Sequence, residues 1–216
     1  MEDWRQKAYL FVILGGAVYV ILSSLGMLFY AGGTYINPDA PGYSFWANYL
    51  SDIGRSKAYS GKDNTVSMIL YSIALSFWAV SFIPFFLALR SLFTEGKLER
   101  ILSTIGSLFG VIAAICLIGI AFTPADILGG PHIIFVYLGY SSLLYLGVLY
   151  SITLYKSDKL PRQYAIIFII WTIIFYVTLT LGIIGLAGII AQKIGRYSTI
   201  ICFAYVAYGA WKLEKT

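Results

Sequence analysis

Six long stretches of this chain contain no Asp, Glu, Lys or Arg, and this pattern limits the fold more than any other feature. They cover approximately residues 8–31, 65–89, 101–123, 131–155, 164–190 and 197–211. A helix needs about 20 mainly apolar residues to cross the roughly 30 Å hydrocarbon core of a bilayer. Backbone amides in hydrocarbon must be hydrogen-bonded within the protein, and these stretches do not alternate as barrel strands do, so we expect helices.

The composition supports a membrane protein. Of the 216 residues, 59% are hydrophobic and only 12% are charged, about half the charged fraction of a soluble domain, and the mean hydropathy is +0.81. We therefore predict an all-α, polytopic transmembrane six-helix bundle that forms a single domain over residues 1–216. The first stretch is too long for the apolar region of a cleaved signal peptide and is not followed by a convincing cleavage site.

The basic residues predict the orientation, because Lys and Arg are enriched in loops that stay in the cytoplasm. The two ends of the chain and the second and fourth loops together hold ten Lys and Arg residues. The first, third and fifth loops hold five, of which Lys193 and Arg196 are assigned to the fifth. We expect a multi-pass protein of the cell membrane with cytoplasmic termini and with loops one and three outside.

No Asp, Glu, Lys or Arg falls inside a predicted span, so we expect polar chemistry only at the membrane rims. Within the spans, glycines predict close helix packing. They are Gly106 and Gly110 in the third helix and Gly182, Gly185 and Gly188 in the fifth.

The first outer loop contains a segment, "SFWANYLSDIGR" at 44–55, whose pattern favours a short interfacial helix over about 44–54. Its apolar residues follow helical spacing and would form one stripe. Its polar residues share a neighbouring face, and we take them as candidate site residues: Asn48, Ser51, Asp52 and Arg55. Asp52 is the candidate catalytic group among them, and the other three would bind ligand.

The third loop, "TPADILGGPH", supplies two further catalytic candidates on the same outer side. Pro124 and Pro131 should bound the loop, which places His132 in the first turn of the fourth helix. A carboxylate such as Asp126 would favour the imidazolium form of His132. Two carboxylates and the imidazole would then converge at the outer rim. In the structural alternative, Asp52 pairs with Arg55, Asp126 caps a turn, and His132 binds a loop carbonyl.

These motifs resemble the six-helix membrane family catalogued as domain of unknown function 998, found in archaea and bacteria and distantly similar to DRAM/Sfk-type proteins. The resemblance rests on "PGYSFWANYLSDIG", "KDNTVSMILYSIAL" and "FTPAD…GGPH". Its specific matches are an N-x-x-S-D-x-G core (Asn48, Ser51, Asp52, Gly54) and a P-x-D…H pattern (Pro124, Asp126, His132). The family has no agreed activity, so the resemblance implies only that these residues act together.

Three functions fit the pattern. The first is a rim site that binds or processes a lipid or polyprenyl headgroup, with His132 as general acid/base. The second is a non-catalytic scaffold or accessory subunit with a homo-oligomeric or membrane-protein partner, and the third is an uncoupled channel or facilitator. We favour the first, with membrane lipids as partners and with catalysis left open.

The sequence does not favour a zinc site, a cofactor site or a nucleic-acid-binding surface. A single histidine with two cysteines cannot form a zinc finger or a tris-His site, so we expect neither a metal nor a cofactor, although two carboxylates holding a hard divalent cation stay a variant. The basic residues form no patch for nucleic acid. Scarce Asn, Gln, Cys and Met beside abundant Ile and Tyr are a tendency of thermophilic proteins.

Overall fold

The protein, described here over residues 4–215 of a computed structural model, consists of six long helices and one short 3₁₀ helix. The long helices are α1 (Trp4–Phe29), α2 (Thr65–Arg90), α3 (Lys97–Ala121), α4 (Gly129–Lys156), α5 (Arg162–Ile183) and α6 (Gly188–Leu213). The 3₁₀ helix (Leu50–Gly54) lies in the connection between α1 and α2. Over residues 4–215 the chain forms no strand, only an isolated bridge between Lys57 and Asp63.

Five of the helices, α1 to α5, are long and apolar enough to cross a membrane. This confirms the all-helical prediction and the membrane-like character of these five segments. The sixth helix is as long as α1 but less apolar, because it carries Gln192, Lys193 and Arg196 in its first half.

The helices form a closed ring in chain order. Each packs on the next, and α6 returns to pack on α1. The two ends of the chain are tied together, since Arg5 pairs with Glu214 at 2.8 Å. The interior is filled by aromatic side chains, with the Phe203 ring 5.2 Å from that of Phe82 and 5.1 Å from that of Trp171. Such ring pairs add to the energy of area burial.

The boundary between α5 and α6 differs from the prediction. The expected fifth span reached residue 190 and the sixth began at 197, whereas α5 ends at Ile183 and α6 begins at Gly188. The break is a turn in which Gly185 and Ala187 have positive φ angles of 74° and 58°. The prediction was wrong because it took charged residues as the end of a span.

The prediction that glycines permit close helix packing holds for the two glycines of α3 but not for two glycines at or near this turn. Gly106 and Gly110 do lie against neighbouring helices, since a Cβ on Gly110 would be 2.3 Å from the Phe86 ring. The packing role predicted for Gly182 and Gly185 was wrong, because a Cβ on either would meet nothing within 4 Å. Gly185 instead supplies the left-handed backbone of the turn, which glycine adopts at little cost.

The segment at 44–54 is not one interfacial helix. Residues 45–48 form a turn, followed by the 3₁₀ helix, and Leu50 and Ile53 are fully buried in the bundle rather than turned toward lipid. The side chains of Asn48 and Asp52 accept hydrogen bonds from the backbone N–H groups of Ser44 and Tyr49. Such side-chain bonds to the backbone compete with regular α-helical ones, which explains the difference.

Candidate functional site

The two predicted outer loops do meet at one end of the bundle. We call the α1–α2 connection, residues 30–64, loop 1 and this end of the bundle the loop-1 end. Asp126 in the α3–α4 loop accepts hydrogen bonds from Ser56 Oγ at 2.6 Å, Ser56 N at 3.0 Å and Lys57 N at 2.9 Å. Partial burial opposes its ionisation, but these three bonds outweigh burial and lower the pKa of Asp126. Asp126 thus acts as a clamp between the loops.

Asp52 has a separate set of partners. It is 4% exposed, and one carboxylate oxygen accepts from Tyr49 N at 2.8 Å and from Asn48 Nδ2 at 3.2 Å. Burial raises the pKa of Asp52, while these two bonds and the charges of Arg55 and Lys193 oppose the rise. Asn48 also donates to the Gly33 carbonyl at 3.1 Å, so the pair fixes the course of the loop.

The remaining predicted residues lie apart from one another. His132 is nearly buried, and its Nδ1 donates to the Thr123 carbonyl at 2.6 Å. Arg55 donates to the Lys57 carbonyl and stacks on the Tyr59 ring at 4.2 Å. Ser51 is half-exposed, and its hydroxyl makes no hydrogen bond within residues 4–215. No hydrogen bond within that range joins any two of Asp52, Asp126 and His132.

Two charged residues that the sequence analysis assigned to a loop lie inside the bundle instead. Lys193 and Arg196, on α6, are only 2% and 5% exposed. The expectation that the membrane helices carry no Lys or Arg in their interior was therefore wrong for α6. Lys193 is held by loop 1, because its ammonium donates to the Asn48 carbonyl and lies 5.0 Å from the centre of the Phe45 ring.

Arg196 is surrounded by aromatic rings rather than by acids. Its guanidinium carbon lies 5.2 Å from the ring centre of Trp78, 5.5 Å from that of Tyr19 and 5.9 Å from that of Tyr140. One terminal nitrogen donates to the Tyr140 hydroxyl at 3.4 Å, a long bond. Within residues 4–215 the buried Nε has no hydrogen-bond partner, and no carboxylate of that range lies within 4 Å of the guanidinium.

Arg196 lines a cavity of about 220 Å³ between α4, α5 and α6. The walls are mostly apolar, and one face of α6 contributes Gln192, Gly195, Arg196 and Thr199 at helical spacing. Other polar groups come from Thr178 on α5 and from Tyr137 and Tyr140 on α4. Within residues 4–215 the lining includes no Asp, Glu, His or Cys. The hydroxyls of Thr178 and Thr199 already donate to backbone carbonyls, so the cavity offers the Arg196 cation and the donors of Gln192 and the tyrosines.

The sequence held a signal for this site. Gln192, Arg196 and Thr199 follow the i, i+4, i+7 spacing of one helix face, and small residues at 188 and 195 permit close approach beside them. The signal was missed because residues 191–196 were interpreted as a loop.

Comparison with protein-family models, curated proteins and solved structures found no match. The resemblance to the domain of unknown function 998 family stays a prediction.

Proposed function

We propose that this chain is an integral membrane protein that binds the anionic headgroup of a lipid or polyprenyl lipid, with Arg196 as the counter-charge. In this proposal all six helices cross the cell membrane, the termini are cytoplasmic and loop 1 is outside. The position of Arg196, buried at a cavity with an unpartnered Nε, is the single observation that carries the proposal.

The energetic argument rests on the cost of a buried charge. Removing an ion from water costs several kcal/mol, by the order of magnitude found in proteins, unless a counter-charge and hydrogen bonds offset it. Cation–π contacts with three rings recover part of this cost, about 2 kcal/mol or more where the cation is desolvated. A bound anion would supply the rest, and an ionisable residue at membrane depth is by default a candidate functional site.

The choice of headgroup binding over catalysis also follows from the lining. The carboxylates that could have acted as acids or bases, Asp52 and Asp126, are occupied by hydrogen bonds that hold loop 1 together. The cavity itself presents a guanidinium, hydroxyls and an amide. A few polar groups placed in a largely apolar pocket are typical of a binding site that orients an amphiphile.

A lipid-binding measurement tests the proposal directly. Full-length wild type and Arg196→Gln are purified in the same detergent, and bound dioleoyl phosphatidic acid is quantified by native mass spectrometry. Arg55→Gln is the matched control, because it removes an arginine that lies in loop 1 outside the cavity. We expect Arg196→Gln to lose the bound lipid and Arg55→Gln to retain it. Equal binding by wild type and Arg196→Gln would contradict the proposal and favour a scaffold role.

A further inference from the structure

Loop 1 packs over the Arg196 cavity at the loop-1 end of the bundle, where Tyr49 is part of the lining. The Leu50 N–H donates to Gln192 Oε1 at 2.7 Å, and Lys193 donates to the Asn48 carbonyl. The Tyr49 hydroxyl packs so closely on α6 that a Cβ on Gly188 would lie 2.8 Å from it. Backbone and side chain of the loop are thus held against the first turns of α6, where the cavity-lining Tyr49 is 38% exposed.

The side of the cavity between α4 and α5 is open. Three side chains that line the cavity also lie on the outer surface of the bundle: Ile133 and Tyr137 of α4, 53% and 54% exposed, and Ile183 of α5, 61% exposed. Gly182 lies beside them, and a Cβ there would meet nothing within 4 Å. If α4 and α5 span the bilayer, this opening faces hydrocarbon, because its rim is apolar apart from one phenol.

The dimensions of the cavity limit what can enter. About 220 Å³ is less than the roughly 300–1,000 Å³ of pockets that hold drug-sized ligands. Arg196 and Gln192 line the cavity from positions one helical turn apart on α6. The Arg196 Nε is unpartnered within residues 4–215, and Gln192 has an NH₂ group beside the carbonyl oxygen that accepts from Leu50. A compact anion that accepts several hydrogen bonds fits this end, and an aliphatic chain fits the apolar opening.

We infer that the ligand is a membrane lipid whose headgroup is a bare phosphate, and that it enters sideways between α4 and α5 while its chains stay in the bilayer. This inference rests on the headgroup binding proposed above and narrows it to small-headed lipids. Arginine suits the role because its fixed fork of donors matches the oxygens of a phosphate. A phosphate in water would have to pass Tyr49 and Leu50 of loop 1, which contact α6 at that end of the cavity.

Four probes separate lipid entry from binding of a free phosphate. Dioleoyl phosphatidic acid, dioleoyl phosphatidylinositol, glycerol 3-phosphate and inorganic phosphate are each titrated against the full chain in detergent, with native mass spectrometry as the readout. We expect phosphatidic acid to bind at least about tenfold more tightly than phosphatidylinositol, whose headgroup is larger, a difference of about 1.4 kcal/mol. Neither soluble phosphate should bind. Equal affinity for the two lipids, or binding of glycerol 3-phosphate as tight as that of phosphatidic acid, would overturn the inference.

A pair of glycine variants tests the route. Gly182→Phe should fill the opening without a clash, and Gly129→Phe is the control, because a Cβ there also meets nothing within 4 Å and Gly129 does not line the cavity. We expect Gly182→Phe to reduce phosphatidic acid affinity about tenfold or more, and Gly129→Phe to leave it unchanged, with both unfolding like wild type. Wild-type affinity in Gly182→Phe would overturn lateral entry alone. If Arg196→Gln still loses phosphatidic acid in that case, the headgroup site is supported although the lateral route is not. Failure of the route can therefore be told from failure of the site.

Discussion

The guanidinium of Arg196 on α6 lies 5.2 Å from the ring centre of Trp78 on α2, in the interior of the bundle. Trp78 is itself 1% exposed, so the charge is enclosed rather than turned toward headgroups or water. An uncompensated charge in such a place lowers stability, and proteins retain it where function needs it. We therefore expect substitution of Arg196 to affect lipid binding and the stability of the fold in different ways.

Arg196→Met is expected to leave stability unchanged or to raise it. Methionine keeps much of the side-chain volume while removing the cost of burying a charge, and replacing buried charges by apolar residues is often neutral or stabilising. The measurement is thermal unfolding in detergent, with and without dioleoyl phosphatidic acid. Added lipid should raise the unfolding temperature of wild type, by mass action on the folded state, but not that of the variant. An unfolding temperature well below wild type without lipid would assign Arg196 a structural role.

Asp52→Asn and Asp52→Ala should differ in stability. Asparagine keeps an oxygen that can accept from Tyr49 N–H and Asn48, whereas alanine removes the acceptor, which we expect to cost about 1–3 kcal/mol. Burial raises the pKa of Asp52. A folded-state pKa above the unfolded value means that stability is lost as pH rises between the two values. Relative to wild type, Asp52→Asn should therefore gain stability as the pH is raised from about 4 to 7.

The pH series of unfolding temperatures for wild type and Asp52→Asn checks this sign. If the difference in unfolding temperature between wild type and Asp52→Asn stays constant with pH, the pKa of Asp52 does not change on folding, which contradicts the prediction. Equal destabilisation of the asparagine and alanine variants would contradict the acceptor role described for its carboxylate.

Asp126→Ala should loosen the connection between the loops and destabilise the protein by about 1–3 kcal/mol, because the Ser56 and Lys57 N–H groups lose their acceptor. Burial favours the neutral form, but the bonds from Ser56 and Lys57 lower the pKa of Asp126 overall. The stabilisation is thus present above the unfolded pKa of about 3.9 and is lost as pH falls through the folded value. Asp39→Ala is the control, since Asp39 is an exposed carboxylate of loop 1, the loop that Asp126 binds.

Unfolding temperatures between about pH 2 and 7 measure the Asp126 contribution. Wild type and Asp126→Ala should converge at the acid end of the range, while Asp39→Ala should follow wild type throughout. A gap between wild type and Asp126→Ala that persists at the lowest pH would show that the ionised carboxylate is not what holds the loops.

Gly110→Val should destabilise the α2–α3 contact by about 1–3 kcal/mol, the usual cost of overpacking. A Cβ on Gly110 would lie 2.3 Å from the Phe86 ring, which is fully buried and cannot move away freely. Gly182→Ala is the control, because its Cβ meets open space and alanine favours a helix by about 0.5–1 kcal/mol over glycine. Thermal unfolding should rank Gly182→Ala at or above wild type and Gly110→Val well below, and the reverse order would contradict the packing described.

Much of the fold was predictable because it depends on local properties. Lengths of apolar sequence set α1 to α5, and the five predicted segments match helices that are long and apolar enough to span. Successive helices of the bundle run in opposite directions, so loops one and three were expected at the same end. The hydrogen bonds that Ser56 and Lys57 donate to Asp126 join the two loops there. The start of α6 was not predicted, because its charged residues indicate a loop when their tertiary partners are not known.

The sequence by itself determined that α1 to α5 are long apolar helices, since this follows from residues a few positions apart. Only the tertiary structure decided that Lys193 and Arg196 are buried, because their surroundings come from distant parts of the chain. The carbonyl that holds Lys193 belongs to Asn48 in loop 1, and the rings around Arg196 come from α1, α2 and α4. A charge can stay within a bundle when remote segments supply its partners, and helical spacing along α6 specifies the face but not what packs against it.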